Sequence, residues 1–325
     1  MQPQPSNSSS LANQDAPLTP TQYYNWKQYR CAYELHTPHH PDVEGNLPLL
    51  LIHPIGVGLS RRFWDRFCRE WLQTGQGNPI YNPDLLGCGE SDLPHLAYNP
   101  QDWAEQLQHF IQTVIQKPVL LVVQGALLPV AVELVHWQAN QPNNTNNWVQ
   151  GLVLAGPPAW ALITQGTPVW RHRSTWNFFD SPLGSIFYRY ARRREFLRSF
   201  SVRQLFANED GVDDEWLNNL EKGAANLESR HAVFSFLAGF WRQDYEAALT
   251  TISQPILVVF GKRASSISRT GDEETPEQRL SSYLEHLPNS QGLEIPGRNV
   301  LPYESTTEFV AVTSLFVGSL SSNLP

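Results

Sequence analysis

Three observations predict a doubly wound α/β fold. Short, continuously apolar runs alternate with amphipathic helical patterns, as expected for a parallel sheet that is covered by helices on both faces. The long break in this alternation, residues 158–250, contains helical patterns and many aromatic residues but no strand-like run. The chain has 325 residues and is 41% hydrophobic, which is enough for one large α/β domain or two smaller ones.

The strands can be assigned in chain order. Residues 1–20 are rich in Gln, Pro, Ser and Asn, so we expect a disordered tail there. Alternating apolar and polar residues from Tyr24 to His36 predict a hairpin at a sheet edge. Six buried strands are then predicted, at Pro48–His53, Pro79–Asp84, Pro118–Val123, Val149–Ala155, Pro255–Gly261 and Gly292–Pro296.

Helices are predicted between these strands. Apolar residues at helical spacing from Trp103 to Val114 indicate a helix that starts near Asn99-Pro100, and Leu127–Trp137 indicates another. The Asn-rich stretch 139–147 is expected to be a surface loop. Residues 21–157 and 251–325 would form the α/β core, and residues 158–250 a helical lid over the edge of the sheet where ligands bind in open α/β folds.

Composition excludes several classes of function. The formal net charge is −8, so the chain lacks the basic field that holds nucleic acid. Its three cysteines are scattered, without metal-ligand spacing, and we expect neither a metal nor a cofactor. No apolar run is long enough to span a membrane. A cytoplasmic location is therefore expected.

Five short motifs carry a resemblance to a known family. In order, they are His53–Gly56, Asp84–Asp92, Gly151–Pro158, Pro255–Gly261 and Ile295–Glu304. They resemble the oxyanion loop, the Asp-x-x-Gly-x-Gly-x-Ser turn, the strand before the lid, the acid-bearing strand and the histidine loop of the α/β-hydrolase superfamily. The similarity is to the lidded branch that includes epoxide hydrolases, haloalkane dehalogenases and esterases. The helix Ser229–Trp241 also looks similar to uncharacterised hydrolase-like proteins of cyanobacteria and plastids.

The resemblance assigns a catalytic triad to three positions that hold no reactive side chain. The family's nucleophile turn, G-x-S-x-G, reads Val123–Leu127 here and puts Gly125 at the nucleophile. The acid position falls on Ala264, and the histidine position falls on Val300. Glycine has no group to attack with, alanine has no carboxylate, and valine cannot transfer a proton. The sequence therefore predicts a triad-degenerate site.

Other reactive residues have structural interpretations. Ser60 stands where a helix N-cap is expected, and Ser235 lies in a predicted lid helix. Cys88 lies in a turn away from the expected site and is predicted to be a buried, inert thiol. In the family, the histidine at His53 shapes the oxyanion loop. His231 is predicted to be a surface or lid-packing residue.

Some positions suit binding instead. The expected pocket and oxyanion-loop residues are His53, Ile55, Gln124, Ala126, Arg298 and Asn299. Ile55 and Ala126 would act through their backbone N–H groups. Arg298 and Asn299 would bind an anionic or carbonyl ligand if they face the site. If they face outward, they would only form the turn of the loop.

The predicted lid adds two features with open interpretations. Its aromatic residues Trp160, Trp170, Trp176 and Phe179 would line an apolar pocket or form the core of the lid. Arg192, Arg193 and Arg194 belong to a basic stripe on an acidic protein. The stripe would meet a protein partner or an anionic surface, or would be an ordinary solvated helix face.

Three functions follow as hypotheses. The preferred one is a non-catalytic protein that binds a small apolar ligand under the lid or a protein partner. The alternative is an active hydrolase, similar to esterases or epoxide hydrolases, with a relocated site such as His53 with Ser60. This alternative requires a nucleophile and a base within about 3 Å of each other. A third is a structural subunit of a larger assembly.

Overall fold

The computed structural model describes residues 19–38, 46–139, 147–266 and 274–321. Its strands are β1 (Gln22–Trp26), β2 (Tyr29–His36), β3 (Leu49–Ile52), β4 (Ile80–Pro83), β5 (Val119–Gln124), β6 (Val149–Ala155), β7 (Ile256–Gly261) and β8 (Ser290–Ile295). They form one eight-stranded sheet in the order β1-β2-β4-β3-β5-β6-β7-β8. The strands from β3 to β8 pair in parallel, and β1 and β2 form the antiparallel hairpin at one edge. The predicted fold class is confirmed.

Each predicted strand is present, and most boundaries differ from the predicted ones by a single residue. β8 starts at Ser290 rather than Gly292, because Ser290 and Gln291 pair with Ile256 and Leu257 of β7. These two residues escaped the apolar pattern because β8 is the edge strand and is only partly buried. Most of the predicted tail, residues 1–18, lies outside the described residues, as does most of the predicted Asn-rich loop.

Thirteen α-helices occur in the described residues. They are α1 (Asp65–Gln73), α2 (Pro100–Phe110), α3 (Leu128–Ala139), α4 (Trp160–Thr164), α5 (Val169–Phe179), α6 (Pro182–Ala191), α7 (Arg194–Phe200), α8 (Asp214–Gly223), α9 (Arg230–Ala238), α10 (Glu246–Thr250), α11 (Pro276–His286), α12 (Leu301–Glu304) and α13 (Thr306–Ser321). The two helices predicted from spacing are confirmed as α2 and α3. α2 begins as predicted, because Asn99 and Asp102 form a reciprocal capping box and Pro100 occupies the first turn.

The sheet is buried on both faces. Leu50 and Ile52 of β3 belong to one apolar cluster, and their neighbours Leu49 and Leu51 belong to the other. Successive residues of a strand point to opposite faces, so burial on both sides requires a continuous apolar run. This is why the strands could be read from the sequence.

The chain between β6 and β7 is helical and holds α4 to α10. We call it the helical insertion. It contributes Trp216 and Leu220 to the cluster on one face of the sheet, and Trp160 and Trp241 to the cluster on the other. The helical insertion therefore packs against the α/β core through both apolar clusters.

Candidate functional site

The turn after β5 has the shape that displays a nucleophile. The chain passes from strand to a short 3-10 turn, Gly125–Leu127, and then into α3. Gly125 has φ of +58°, in the left-handed region that glycine adopts without steric cost. A Cβ added there would have a single neighbour within 4 Å outside the adjacent residues, the carbonyl oxygen of Gly156 at 3.9 Å. The turn therefore has room for a side chain but carries none.

Residues next to the three predicted triad positions are hydrogen-bonded to one another. Asn299 precedes Val300, and its backbone carbonyl accepts from Nε2 of Gln124 at 2.7 Å. Its side-chain Oδ1 accepts from the backbone N–H of Ser265 at 3.3 Å. Ala264 and Val300 are themselves buried. The residues next to the three predicted positions are therefore in direct contact.

Arg298 and Asn299 face the helical insertion and bond to it. The guanidinium of Arg298 donates from Nε to Oγ of Ser265 at 2.7 Å and from Nη1 to the carbonyl of Arg203 at 2.6 Å. Nδ2 of Asn299 donates to the carbonyl of Gln204 at 2.7 Å, and its backbone N–H donates to the carbonyl of Leu205 at 3.0 Å. These groups hold the end of the Ser201–Leu205 turn over the loop.

The predicted oxyanion loop is packed and internally bonded. His53 is fully buried; its Nε2 accepts from the backbone N–H of Leu85 at 3.1 Å, and its Nδ1 lies 2.9 Å from the carbonyl of Pro54. Burial lowers the pKa of His53, so the neutral ring is favoured. Ile55 lies in the apolar core. The structure gives His53 the loop-shaping contacts that were expected of it.

The same loop touches the helical insertion backbone to backbone. A Cβ on Gly58 would overlap the carbonyl of Leu220 in α8, and a Cβ on Gly223 would overlap the carbonyl of Gly58. Gly58 also has φ of +78°. Contact this close leaves no gap between the loop and α8.

A small cavity lies beside the turn after β5. Its volume is about 10 Å³. It is lined by Tyr98, Pro100, Trp103, Ala126, Leu127, Val130, Ser235, Phe236 and Trp241. Ala126 is the one predicted pocket residue among them. A space of this size holds about one water molecule.

The four predicted lid-pocket aromatics do not border this cavity. Trp160 packs on Tyr283 and His286, with ring centroids 5.2 and 4.7 Å away. Trp176 and Phe179 pack inside the helical insertion, on Phe240 and Phe234 respectively. Trp170 is 67% exposed. Three of the four thus serve packing, and Trp170 lies on the surface.

The predicted basic stripe is divided between internal and external contacts. Arg192 donates to the carbonyls of Ala224 and Ala225. Arg194 donates to Asn218, Glu221 and Asp214. Arg193 is exposed, with its guanidinium 5.6 Å from the ring of Tyr190. Arg192 and Arg194 therefore hold neighbouring elements together, while Arg193 points to solvent.

The fold and site can be compared with known proteins. A model of the alpha/beta hydrolase family matches residues 49–312, most of the chain. This chain belongs to the alpha/beta hydrolase family. No curated protein sequence matches it significantly.

Solved structures agree with the fold of this alpha/beta hydrolase family member. A thermophilic esterase from Thermogutta terrifontis matches with a TM-score of 0.66 and 16% identity, covering 90% of this chain and 94% of the esterase. A bromoperoxidase from Bacillus anthracis matches with a TM-score of 0.68 and 17% identity, covering 92% and 100%. An enol-lactonase from Burkholderia xenovorans LB400 matches with a TM-score of 0.66 and 13% identity, covering 91% and 100%. At these identities the likeness concerns the fold alone.

The hydroxyl and thiol groups singled out in this α/β hydrolase have structural contacts. Oγ of Ser60 caps the Arg61–Trp64 turn by accepting from the backbone N–H of Arg62. Oγ of Ser235 donates to the carbonyl of His231 and accepts from the backbone N–H of Tyr98. Cys88 is buried, and burial raises the pKa of its thiol well above the ordinary value. The N-cap, packing and buried-thiol predictions are confirmed.

One cluster of this α/β hydrolase was missed by sequence reasoning. His95, Asp180 and His231 each have an atom that could ligate a metal ion, and these atoms lie within 4.8 Å of one another. Nε2 of His95 is 2.7 Å from Oδ1 of Asp180, a hydrogen-bond distance, and the two imidazoles stack with centroids 4.1 Å apart at 12°. Imidazole lone pairs lie in the ring plane, so two stacked rings cannot point at one ion in this arrangement. The residues come from three distant parts of the chain, so no spacing signalled the cluster.

Proposed function

We propose that this protein is a non-catalytic member of the family, in which the helical insertion is fixed on the former active site and function depends on a partner bound at the outer surface. The observation that carries the proposal is the bonding of Asn299. Its backbone and side chain form hydrogen bonds with Gln124, Ser265, Gln204 and Leu205 beside the three positions predicted for the triad.

The chemistry of the three triad positions supports loss of hydrolysis. A triad works because an oriented base removes a proton from a positioned nucleophile, and each member depends on the others. With Gly125, Ala264 and Val300 there, all three roles lack a group. A site without its triad keeps at most a rate enhancement on the order of 1,000-fold from the oxyanion hole and binding.

The size of the cavity favours a surface partner over a small apolar ligand beneath the insertion. Pockets for small molecules typically enclose about 300–1,000 Å³. The cavity beside Ala126 has about 10 Å³. The contact between Gly58 and α8 further supports an insertion that stays closed.

The alternative of a relocated hydrolase has less support. Ser60 and His53 are its best pair, but the Ser60 hydroxyl caps a helical turn and both His53 nitrogens contact backbone groups. The esterase and the enol-lactonase named above share only the fold with this chain.

The test is covalent labelling with a fluorophosphonate probe, together with turnover of p-nitrophenyl butyrate. We expect neither labelling nor turnover from the natural chain. We also expect neither from Gly125→Ser, in which the turn regains a hydroxyl but the acid and base positions remain Ala264 and Val300. A serine esterase of the same fold serves as the positive control for both assays.

Labelling that Ser60→Ala or Ser235→Ala abolishes would overturn the proposal and support a relocated nucleophile. Turnover restored by Gly125→Ser alone would also contradict it, because another residue would then have to act as the base.

A further inference from the structure

Helix α6 carries apolar residues on the side that faces solvent. Ile186, Phe187 and Tyr190 follow Leu183 by three, four and seven residues, so the four share one face of the helix. Leu183 and Ile186 are 62% and 64% exposed. The buried residues of the helix, Gly184, Tyr188 and Ala191, lie on the other side and pack within the protein. The outward stripe is therefore largely open to solvent.

The neighbouring helix α5 also exposes apolar side chains. Val169, Trp170 and Phe178 are also exposed, and α5 packs against α6. We call residues 169–193 the α5–α6 hairpin. It contains seven of the thirteen large hydrophobic side chains that are exposed in the described part of the chain. Such a concentration marks an interaction surface rather than scattered surface residues.

The charges within this hairpin are almost all positive. The hairpin contains five arginines and one acidic residue, Asp180, on a chain with a net charge of −8. Asp180 is paired with His95 at 2.7 Å. Arg171, Arg173, Arg189 and Arg193 are exposed and form no ion pair within the described residues. The local positive charge is therefore available to an external anion.

We propose that the α5–α6 hairpin docks on the surface of an anionic lipid bilayer. A helix with an apolar stripe beside arginines lies in the membrane interface, where the apolar side chains reach the acyl boundary and the cations contact the head groups. Tyr and Trp side chains such as Tyr190 and Trp170 are favoured at that depth. No helix in ranges 19–38, 46–139, 147–266 and 274–321 is long and apolar enough to cross a membrane.

The acidic remainder of the protein is compatible with this orientation. Charges farther from the surface than about 10 Å are screened at ordinary ionic strength. The basic hairpin then contributes the attraction, and charges that lie farther than this from the bilayer do little to oppose it. This inference goes beyond the function proposed above and does not depend on whether the site is catalytic.

The experiment is flotation of the full chain with vesicles of phosphatidylcholine alone or with 30% phosphatidylglycerol. We expect binding to the anionic vesicles in 0.1 M NaCl, and at least about tenfold weaker binding to the neutral vesicles or in 0.5 M NaCl.

Leu183→Ser with Ile186→Ser is expected to lower binding at least about tenfold, since both changes remove apolar side chains from the docking face.

Arg189→Gln with Arg193→Gln tests the charges separately. We expect binding to anionic vesicles to fall about fivefold for each arginine. Leu315→Ser and Lys117→Gln are matched controls, because Leu315 is 77% exposed on α13 and Lys117 is exposed on a distant loop. Both should bind within about twofold of the natural chain.

Thermal unfolding of each variant checks that these surface changes leave the fold intact. The proposal is overturned if the natural chain floats with neither kind of vesicle, a result that would favour an acidic protein as the partner of the same surface. It is equally overturned if the hairpin variants, still folded, bind anionic vesicles as well as Leu315→Ser and Lys117→Gln do.

Discussion

The side-chain amide of Gln124 donates a hydrogen bond to the backbone carbonyl of Asn299, with 2.7 Å between nitrogen and oxygen. Gln124 ends the strand before the turn at Gly125, and Asn299 precedes Val300. The bond therefore joins the residues that precede the positions predicted for the nucleophile and the histidine. Through Nδ2 of Asn299 it continues to the carbonyl of Gln204, so the helical insertion is tied to both. These contacts lead to testable consequences for stability.

Removing the Asn299 side chain should destabilise the protein. Asn299→Ala leaves the carbonyl of Gln204 and the N–H of Ser265 without their partner in a part-buried place. Unsatisfied groups of this kind cost about 1–3 kcal/mol. We expect the free energy of unfolding, measured by urea titration, to fall by that amount. Asn177→Ala, at an exposed position of α5, is the control and should change it by less than about 0.5 kcal/mol. Equal losses of stability in Asn299→Ala and Asn177→Ala would show that the hydrogen bonds of Asn299 do not hold the insertion in place.

The contact between the predicted oxyanion loop and α8 can be tested with a pair of glycines. Gly58 and Gly75 have almost the same φ, +78° and +75°, so alanine costs about 1 kcal/mol of backbone strain at either. A Cβ on Gly58 would also overlap the carbonyl of Leu220, whereas a Cβ on Gly75 meets nothing within 4 Å.

We therefore expect Gly58→Ala to lower the free energy of unfolding by about 2 kcal/mol or more beyond Gly75→Ala, because the loop and α8 must separate. Urea unfolding of the two variants side by side measures the difference. If both lose the same stability, α8 can move away from the loop without cost and the insertion is not fixed there.

Acid should weaken the protein through His231. This residue is buried, neither ring nitrogen forms a hydrogen bond, and burial with the nearby charges of Arg230 and His95 holds its pKa at about 4. Glu228 and Asp180 oppose this shift but do not outweigh it. In the unfolded chain the imidazole takes up its proton near pH 6.5, so between pH 6.5 and 4 the unfolded state binds more protons. The stabilisation is present above pH 6.5 and is lost as the pH falls towards 4.

Replacing His231 with an aromatic residue that does not titrate should reduce this loss. His231→Phe keeps a ring against His95 and Trp176, and we expect its stability to fall by on the order of 2 kcal/mol less than that of the natural chain between pH 7 and 4.5. Urea unfolding at the two pH values is the measurement. Identical losses in the two proteins would mean that His231 is protonated in the folded state as readily as in the unfolded chain.

Much of the fold could be predicted because its signals are local. Strands β3, β5, β6 and β7 are mainly apolar on both faces, and the capping residues Asn99 and Pro100 mark where α2 begins. The polar start of β8 could not be read in this way, because Ser290 and Gln291 pair at the sheet edge without burial on both sides. The motif order led to Gly125, Ala264 and Val300, and the structure brings their neighbours together.

The direction of the side chains around the site could not be predicted. Two orientations were open for Arg298 and Asn299, and which one occurs depends on Arg203 and Gln204, about a hundred residues earlier in the chain. The same holds for the aromatics of the insertion. Trp160 is buried and Trp170 is exposed, although the sequence pattern does not distinguish the two tryptophans.

The sequence by itself determined the α/β-hydrolase fold and which side chains stand at the three positions predicted for the triad, because periodicity and side-chain identity are properties of the chain alone. Only the tertiary structure decided that Asn299 ties the insertion to the site, that the cavity beside Ala126 is nearly filled, and that α6 turns Leu183 and Ile186 outward. These features depend on contacts between residues far apart in sequence. No local pattern encodes which elements will meet, since burial is decided by the packing of the whole chain.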